Sequence, residues 1–266
     1  MSTHLLNDLP LPTAPPAPVI LAVDTSATRL GLAITRGPEL LATLLSSRVA
    51  PHSRTLFDNL QLLLEQALLQ VGDIEVFAVV TGPGSFTGLR VGMAALQGLA
   101  AAHRRPLCGL DLFDLQSRAL RCAATVLLLV DAGRGELYTG LRRITSAGEV
   151  IKVGHELYGR PEAVIPATLD QLDPADRQTL LITGDGVERA QATLDQLSRH
   201  CAVSLTPVVF AAPGSPGWQT VSPAGAVAIQ LAEAVWQLLR NRPPALLPGC
   251  HPFYIRPSDA EINWPK

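Results

Sequence analysis

Lysine is all but missing from this chain. Lys152 and Lys266 are the two it has; the other basic residues are arginines, in a composition rich in alanine, leucine and proline. The formal net charge is −2 and the pI about 6.3. A domain that grips nucleic acid unaided carries a basic face and a high pI, so any hold on RNA falls mainly to another component. Cysteine is scarce too. Cys108, Cys122, Cys201 and Cys250 form no C-x-x-C pair, which fits small buried thiols in a reducing compartment. No run of about 18 uncharged apolar residues occurs, which excludes a spanning helix. The opening "MSTHLLNDLPLPTAPPAPV" lacks the basic start and long apolar stretch of a secretory leader. The expected location is therefore the cytoplasm, away from membrane. His4, His52, His103, His155, His200 and His251 include no two residues four apart, so a paired-histidine metal site on one helix is excluded.

What is present is apolar and globular. Of the 266 residues, 47% are apolar and 17% charged, enough for two modest lobes with buried cores. Residues 1–18 hold five prolines between Pro10 and Pro18 and are expected to be a disordered lead-in. The fold then begins at "VILAVDTSATRLGLAIT", an apolar run ending in Asp24, a polar turn and a returning strand: a β-hairpin. "PELLATLLSS" continues it as a third strand. In "HSRTLFDNLQLLLEQALLQVG", Leu56, Leu60, Leu63, Leu64, Ala67 and Leu68 recur at helical spacing, with Ser53 as N-cap and Gly72 as stop. "EVFAVV" is a buried strand, "PLCGL" another, and "FDLQSRALR" a helical piece.

The pattern then repeats. "TVLLLVDAGRGELYTGLRRI" again runs apolar to an aspartate, Asp131, turns, and returns. Leu30 and Leu137 each lie six residues beyond their aspartate, Ile34 and Leu141 each ten. Strand, aspartate, turn and strand recurring at one offset point to a duplicated lobe. Strands at "EVIKVGHEL" and "TLLITGDGV", a helix at "ERAQATLDQLSRH" and a long helix at "SPAGAVAIQLAEAVWQLLRN" follow. The expected division is a lead-in at 1–18, an N-terminal lobe at 19–111, a C-terminal lobe at 112–242 and a largely irregular tail at 243–266.

"TGPGSFTGLRVG", residues 81–92, joins a strand to a helix N-terminus, where free N–H groups favour an anion. It has no lysine for a Walker loop, and its spacing is G-x-G-x-x-x-G rather than G-x-G-x-x-G. Two readings stay open: an anion cradle, or a tight turn whose glycines permit close backbone approach. The helix that follows is apolar or small almost all round. Leu89, Met93, Leu96 and Ala100 form a stripe suited to the sheet. Val91, Ala95, Gly98 and Ala102 form a second, smaller one, and Leu62 and Leu69 fall outside the main stripe of the preceding helix. Either another part of the chain covers these positions or a partner's helices do.

"GPGSFTGLRVG" followed by a small-residue helix resembles the signature of the TsaB (YeaZ) family. "AVDTS", "HSRTL", "VDAGRGELY" and "FYIRPSDA" agree in order, so the resemblance covers residue 19 to the end; Gly133 stands where the family commonly has arginine. The resemblance implies an α/β, two-lobed actin-like (ASKHA, ribonuclease H-like) fold with duplicated sheet-and-helix lobes. It also implies a non-catalytic role in making threonylcarbamoyladenosine at tRNA position 37. TsaD would be the catalytic, metal-bearing partner, docked through the two N-lobe helices; TsaE with ATP would be the third component, and tRNA would be met only within the complex. On this reading the chain has no catalytic, cofactor or metal residues of its own, and Leu62, Leu69, Val91, Ala95, Gly98 and Ala102 form the partner interface. Pairing with itself when alone, and a nucleotide at the shared interface, are left open.

The rival is an independent small-molecule kinase or ATPase of the same superfamily. Active members place a carboxylate at the end of each lobe's first strand, the positions of Asp24 and Asp131; the alternative is that both cap hairpin turns. In "LLITGDGVERA", Asp185 separates two glycines that adenosine-binding relatives usually keep adjacent, and its charge would repel a phosphate unless a metal intervened. Ser85 and Thr87 have no histidine nearby in sequence to serve as base, so Ser85 reads as a helix cap rather than a nucleophile.

Overall fold

A strand that is apolar at every position needs cover on both faces of its sheet. In the computed structural model, which describes residues 17–46, 52–173, 176, 179–200, 204–207, 223–241 and 248–251, Val19–Asp24 (β1) and Val76–Gly82 (β4) are buried throughout. They pair in parallel at the centre of a five-stranded sheet. Gly31–Arg36 (β2) returns antiparallel on β1, Glu39–Leu45 (β3) edges it, and Leu107–Asp111 (β5) extends it on the far side, giving the order β3-β2-β1-β4-β5. Ala124–Gly133 (β6), Glu136–Ile144 (β7), Val150–Gly159 (β8), Thr179–Thr183 (β9) and Ser204–Pro207 (β10) build a second sheet in the same order, β8-β7-β6-β9-β10.

The repeat read from the aspartates therefore extends to whole lobes. Leu30 and Leu137 are both buried, as are Ile34 and Leu141. The two hairpins differ by one residue in register: Val23 faces Leu32, whereas Val130 faces Tyr138.

Strand alternation sorts the core into layers. Val19, Leu21 and Val23 face outward to His52–Ala67 (α1) and Phe86–His103 (α2). Ile20 and Ala22 face inward to a layer shared by both sheets, filled by Leu112–Ala119 (α3) and Pro223–Asn241 (α6). Val126, Leu128 and Val130 meet that layer from the second sheet, while Leu127 and Leu129 face Pro161–Leu169 (α4) and Val187–His200 (α5). Helices, sheet, helices, sheet, helices: this is the duplicated architecture of the actin-like fold. α6 follows the second lobe in sequence yet packs across β1, β2 and α3.

Several local readings need correction. The first helix is already under way at His52, so Ser53 lies within its first turn, and it ends at Ala67 rather than at Gly72. Leu68 adopts positive φ (55°) just beyond that end and is 91% exposed, so it leaves the inward stripe. α4 and β10 had no counterpart in the sequence reading. α4 opens on Pro161 and contains Pro166, and proline count alone argues against a helix. Of the expected lead-in only Ala17 and Pro18 are described, and of the tail only residues 248–251.

A buried ion cluster joins the lobes. Arg142 on β7, with only 3% of its side chain exposed, donates from Nε to Asp114 (2.5 Å) and from Nη2 to Asp111 (3.3 Å) and Glu156 (3.0 Å). Asp111 ends β5 and caps α3 by accepting from Asp114 N–H (3.0 Å). Burial pushes the Asp111 carboxyl up to about 6 from its ordinary 3.8, against the pull of Arg142.

Candidate functional site

The turns with chemical potential all sit at the carboxyl ends of the parallel strands, where ligands bind in open α/β sheets. β1 ends at Asp24, which is buried. Its Oδ1 accepts from Ser26 N–H (2.8 Å) and from the Ser26 hydroxyl (2.6 Å), an Asx turn. The glycine segment folds onto this turn. Ser85 N–H donates to Ser26 C=O at 2.6 Å. A Cβ on Gly84, whose φ is 159°, would meet the Ser26 carbonyl carbon at 2.9 Å. One on Gly92 would run into Thr25 Oγ1, with Thr25 Cγ2 at 3.1 Å and Cβ at 3.3 Å. Gly84 and Gly92 are thus required by packing of α2 on the β1–β2 turn, the fold-serving alternative for this segment. Ser85 caps α2, accepting from Gly88 N–H at 3.2 Å. Thr25, fully buried, keeps an Oγ1 without a hydrogen-bond partner among the described residues.

The second lobe repeats the arrangement with different chemistry. Asp131 Oδ1 accepts from Gly133 N–H (2.8 Å), and its Oδ2 accepts from Arg189 Nη2 (2.9 Å). Asp185, between Gly184 and Gly186, accepts the Asp131 backbone N–H (2.9 Å). Crowding by protein on its inner side raises the Asp185 carboxyl, an effect that its bond from Asp131 N–H partly offsets. A Cβ on Gly184 or Gly186 would strike the Leu129 backbone, and Gly186 N–H donates to Leu129 C=O (2.9 Å). This turn is therefore closed by its own carboxylates and by a cation from α5. Sequence reading singled out Asp131 and Asp185 but missed Arg189; its position four residues after Asp185, on the first turns of a helix, was the available signal.

The outer face of the first lobe is different in kind. Leu89, Met93, Leu96 and Ala100 are buried against the sheet, as their spacing indicates. Of the second set, Val91, Ala95 and Leu69 are half-buried against the first-lobe core, while Gly98, Ala102 and Leu62 are exposed, Leu62 by 46%. A Cβ on Gly98 would touch nothing within 4 Å. Phe57 (57% exposed) and Leu68 (91%) add large apolar surface on and just beyond α1 that the sequence reading had not placed outward. α6 and the second lobe, the internal covers open to consideration, lie on the opposite face of the sheet.

Among the described residues no group of three or more histidines, cysteines or carboxylates could hold a metal, and no helix is long and apolar enough to cross a membrane. Burial raises the Cys108 thiol to about 12, helped by Cys250, and raises Cys250 to about 11, so neither is a thiolate at neutral pH.

Three comparisons bear on this geometry. Residues 46–264 match the sequence model of a family described as TsaD, tRNA N6-adenosine threonylcarbamoyltransferase. The chain is 24% identical to the tRNA threonylcarbamoyladenosine biosynthesis protein TsaB of Bacillus subtilis over 92% of its own length and 97% of that protein's. It is 32% identical to TsaB of Escherichia coli over 45% of this chain and 52% of that protein. Among solved structures it is similar to YeaZ from Pseudomonas aeruginosa, with a TM-score of 0.61 at 24% identity, covering 89% of this chain and 99% of that one.

Proposed function

The chain belongs to the TsaB (YeaZ) family of tRNA threonylcarbamoyladenosine biosynthesis proteins, inside the broader group that the threonylcarbamoyltransferase model describes, and from that premise we propose that it is a non-catalytic scaffold for TsaD. It binds TsaD through α1 and α2 and holds it in an active geometry while TsaD transfers threonylcarbamoyl to the adenosine beside the anticodon. TsaE with ATP completes the set, in the cytoplasm, and tRNA is engaged only by the assembly.

The observation that carries this reading is the apolar surface on α1 and α2 that the described residues leave exposed, with Phe57 and Leu62 outward and open space above Gly98. Small residues there permit close helix approach, and contiguous exposed apolar surface marks protein contact. The turn-capping bonds of Asp24 and Asp131 favour a structural role for both carboxylates.

The test is a pull-down with TsaD beside a thermal melt of Gly98→Arg combined with Leu62→Asp. Buried interface positions commonly contribute about 2 kcal/mol or more each, so binding should fall roughly a thousandfold while the melt holds. Cells depleted of the native copy should then lack threonylcarbamoyladenosine. A variant that keeps its melt and restores the modified base would remove α1 and α2 as the docking face.

A further inference from the structure

The cluster around Arg142 sits where the two sheets meet α3. Its members come from both sides of the joint. Asp111 closes the last strand of the first sheet, and Asp114 stands in the first turn of α3, which Asp111 caps and which packs on both sheets. Arg142 and Glu156 belong to neighbouring strands of the second sheet. One guanidinium therefore binds the β5–α3 junction by two carboxylates and its own sheet by a third, and Nη1 donates in addition to Leu141 C=O at 3.1 Å. Lys152 at the surface holds Glu156 from the other side.

Packing reinforces the ions. The Arg142 guanidinium lies 5.5 Å from the centre of the Phe113 ring on α3. A Cβ on Gly140 of β7 would meet that same ring at 2.9 Å and Glu156 Cγ at 3.2 Å. At Gly140 the β7 backbone thus lies directly against the Phe113 side chain of α3. Rotating the second sheet away from β5 would take Arg142 from Asp111 and Asp114, leaving a cation short of two of its three carboxylates. Apolar layers can shear by small steps, but this arrangement has one geometry in which the charges are met.

We propose that Arg142 is a clasp that fixes the angle between the two lobes, so that this protein presents a set geometry instead of opening and closing about its strand-end turns. Spin labels at Gln66→Cys on α1 and Ala192→Cys on α5, with Cys122, Cys201 and Cys250 replaced by serine, read the inter-lobe distance by electron–electron resonance in the full chain. The unmodified cluster should give one narrow distribution. Asp114→Asn should widen it at least twofold, and Arg142→Met more, with far-UV circular dichroism unchanged. A broad distribution with the cluster intact overturns the proposal, as does an Asp114→Asn variant as narrow as the parent. If Arg142→Met does not fold, the parent and Asp114→Asn distributions decide between these outcomes on their own.

Discussion

Arg189 on α5 donates to the Asp131 carboxylate at 2.9 Å, across the turn that ends the first strand of the second lobe. Both side chains are more than a third exposed, 39% and 35%, so the pair adds little to stability. Its effect is on chemistry. A carboxylate that holds a guanidinium on one oxygen and a backbone N–H on the other has about half of its acceptor sites taken and its charge partly met, which makes it a poorer partner for a hydrated metal.

Magnesium-ATP should consequently show no micromolar binding to the isolated chain by calorimetry. Binding that disappears in Asp24→Ala would revive the kinase reading and count against the scaffold.

Two glycines of α2 should respond in opposite directions. Gly92→Ala forces a methyl into the fully buried Thr25 side chain, and overpacking of this kind costs about 1–3 kcal/mol. Gly98→Ala meets nothing and should stabilise by roughly 0.5–1 kcal/mol through helix propensity. Thermal melts separate them, at about 2–4 °C per kcal/mol for a chain near this size. Thr25→Ala should recover most of the Gly92→Ala loss. Two substitutions with the same effect would show that Thr25 is not what excludes a side chain at 92.

Leu68 holds φ at 55° with its side chain in water. A left-handed conformation at a residue with a Cβ costs on the order of 1 kcal/mol, so Leu68→Gly should raise the melting temperature by a few degrees. An unchanged or lower melt would mean that Leu68 contributes to the fold through contacts that its exposure conceals.

Stability should also carry the mark of Asp111. Its carboxyl is raised to about 6 in the folded chain, mainly by burial, from an ordinary 3.8. The folded state therefore binds this proton more tightly than the unfolded state does. The contribution is present in full below about pH 4 and is lost as pH rises through 6. Asp111→Asn keeps an oxygen for the α3 cap and cannot ionise. Melts from pH 3.5 to 8 should show its stability relative to the parent rising between 4 and 6 and then level. A relative stability that falls over that window would mean that Arg142 outweighs burial.

The helices and strands that the sequence revealed are those whose evidence is local. β1, β4 and β6 read as unbroken apolar runs because both of their faces are covered, and α2 declared its sheet-facing stripe through Leu89, Met93, Leu96 and Ala100. α4 stayed hidden because Pro161 and Pro166 count against a helix in any local sum, although Pro161 stands at a first position where its missing N–H costs nothing. Leu68 matched the α1 periodicity and still points to water, because periodicity does not say where a helix stops.

The site divides along the same line. Asp24, Asp131 and Asp185 were visible as residues at strand ends, since an apolar run broken by a carboxylate is a pattern in one dimension. What they bond was not. The Arg189 contact spans 58 residues and the Asp114 contact to Arg142 spans 28, and neither spacing belongs to any helix or strand period. By itself the sequence determined a duplicated strand, turn and strand, because side-chain alternation and turn chemistry act between near neighbours. Only the tertiary structure decided which carboxylate meets which guanidinium and which apolar face is left uncovered, because charge pairing and burial depend on which segments the chain topology brings together.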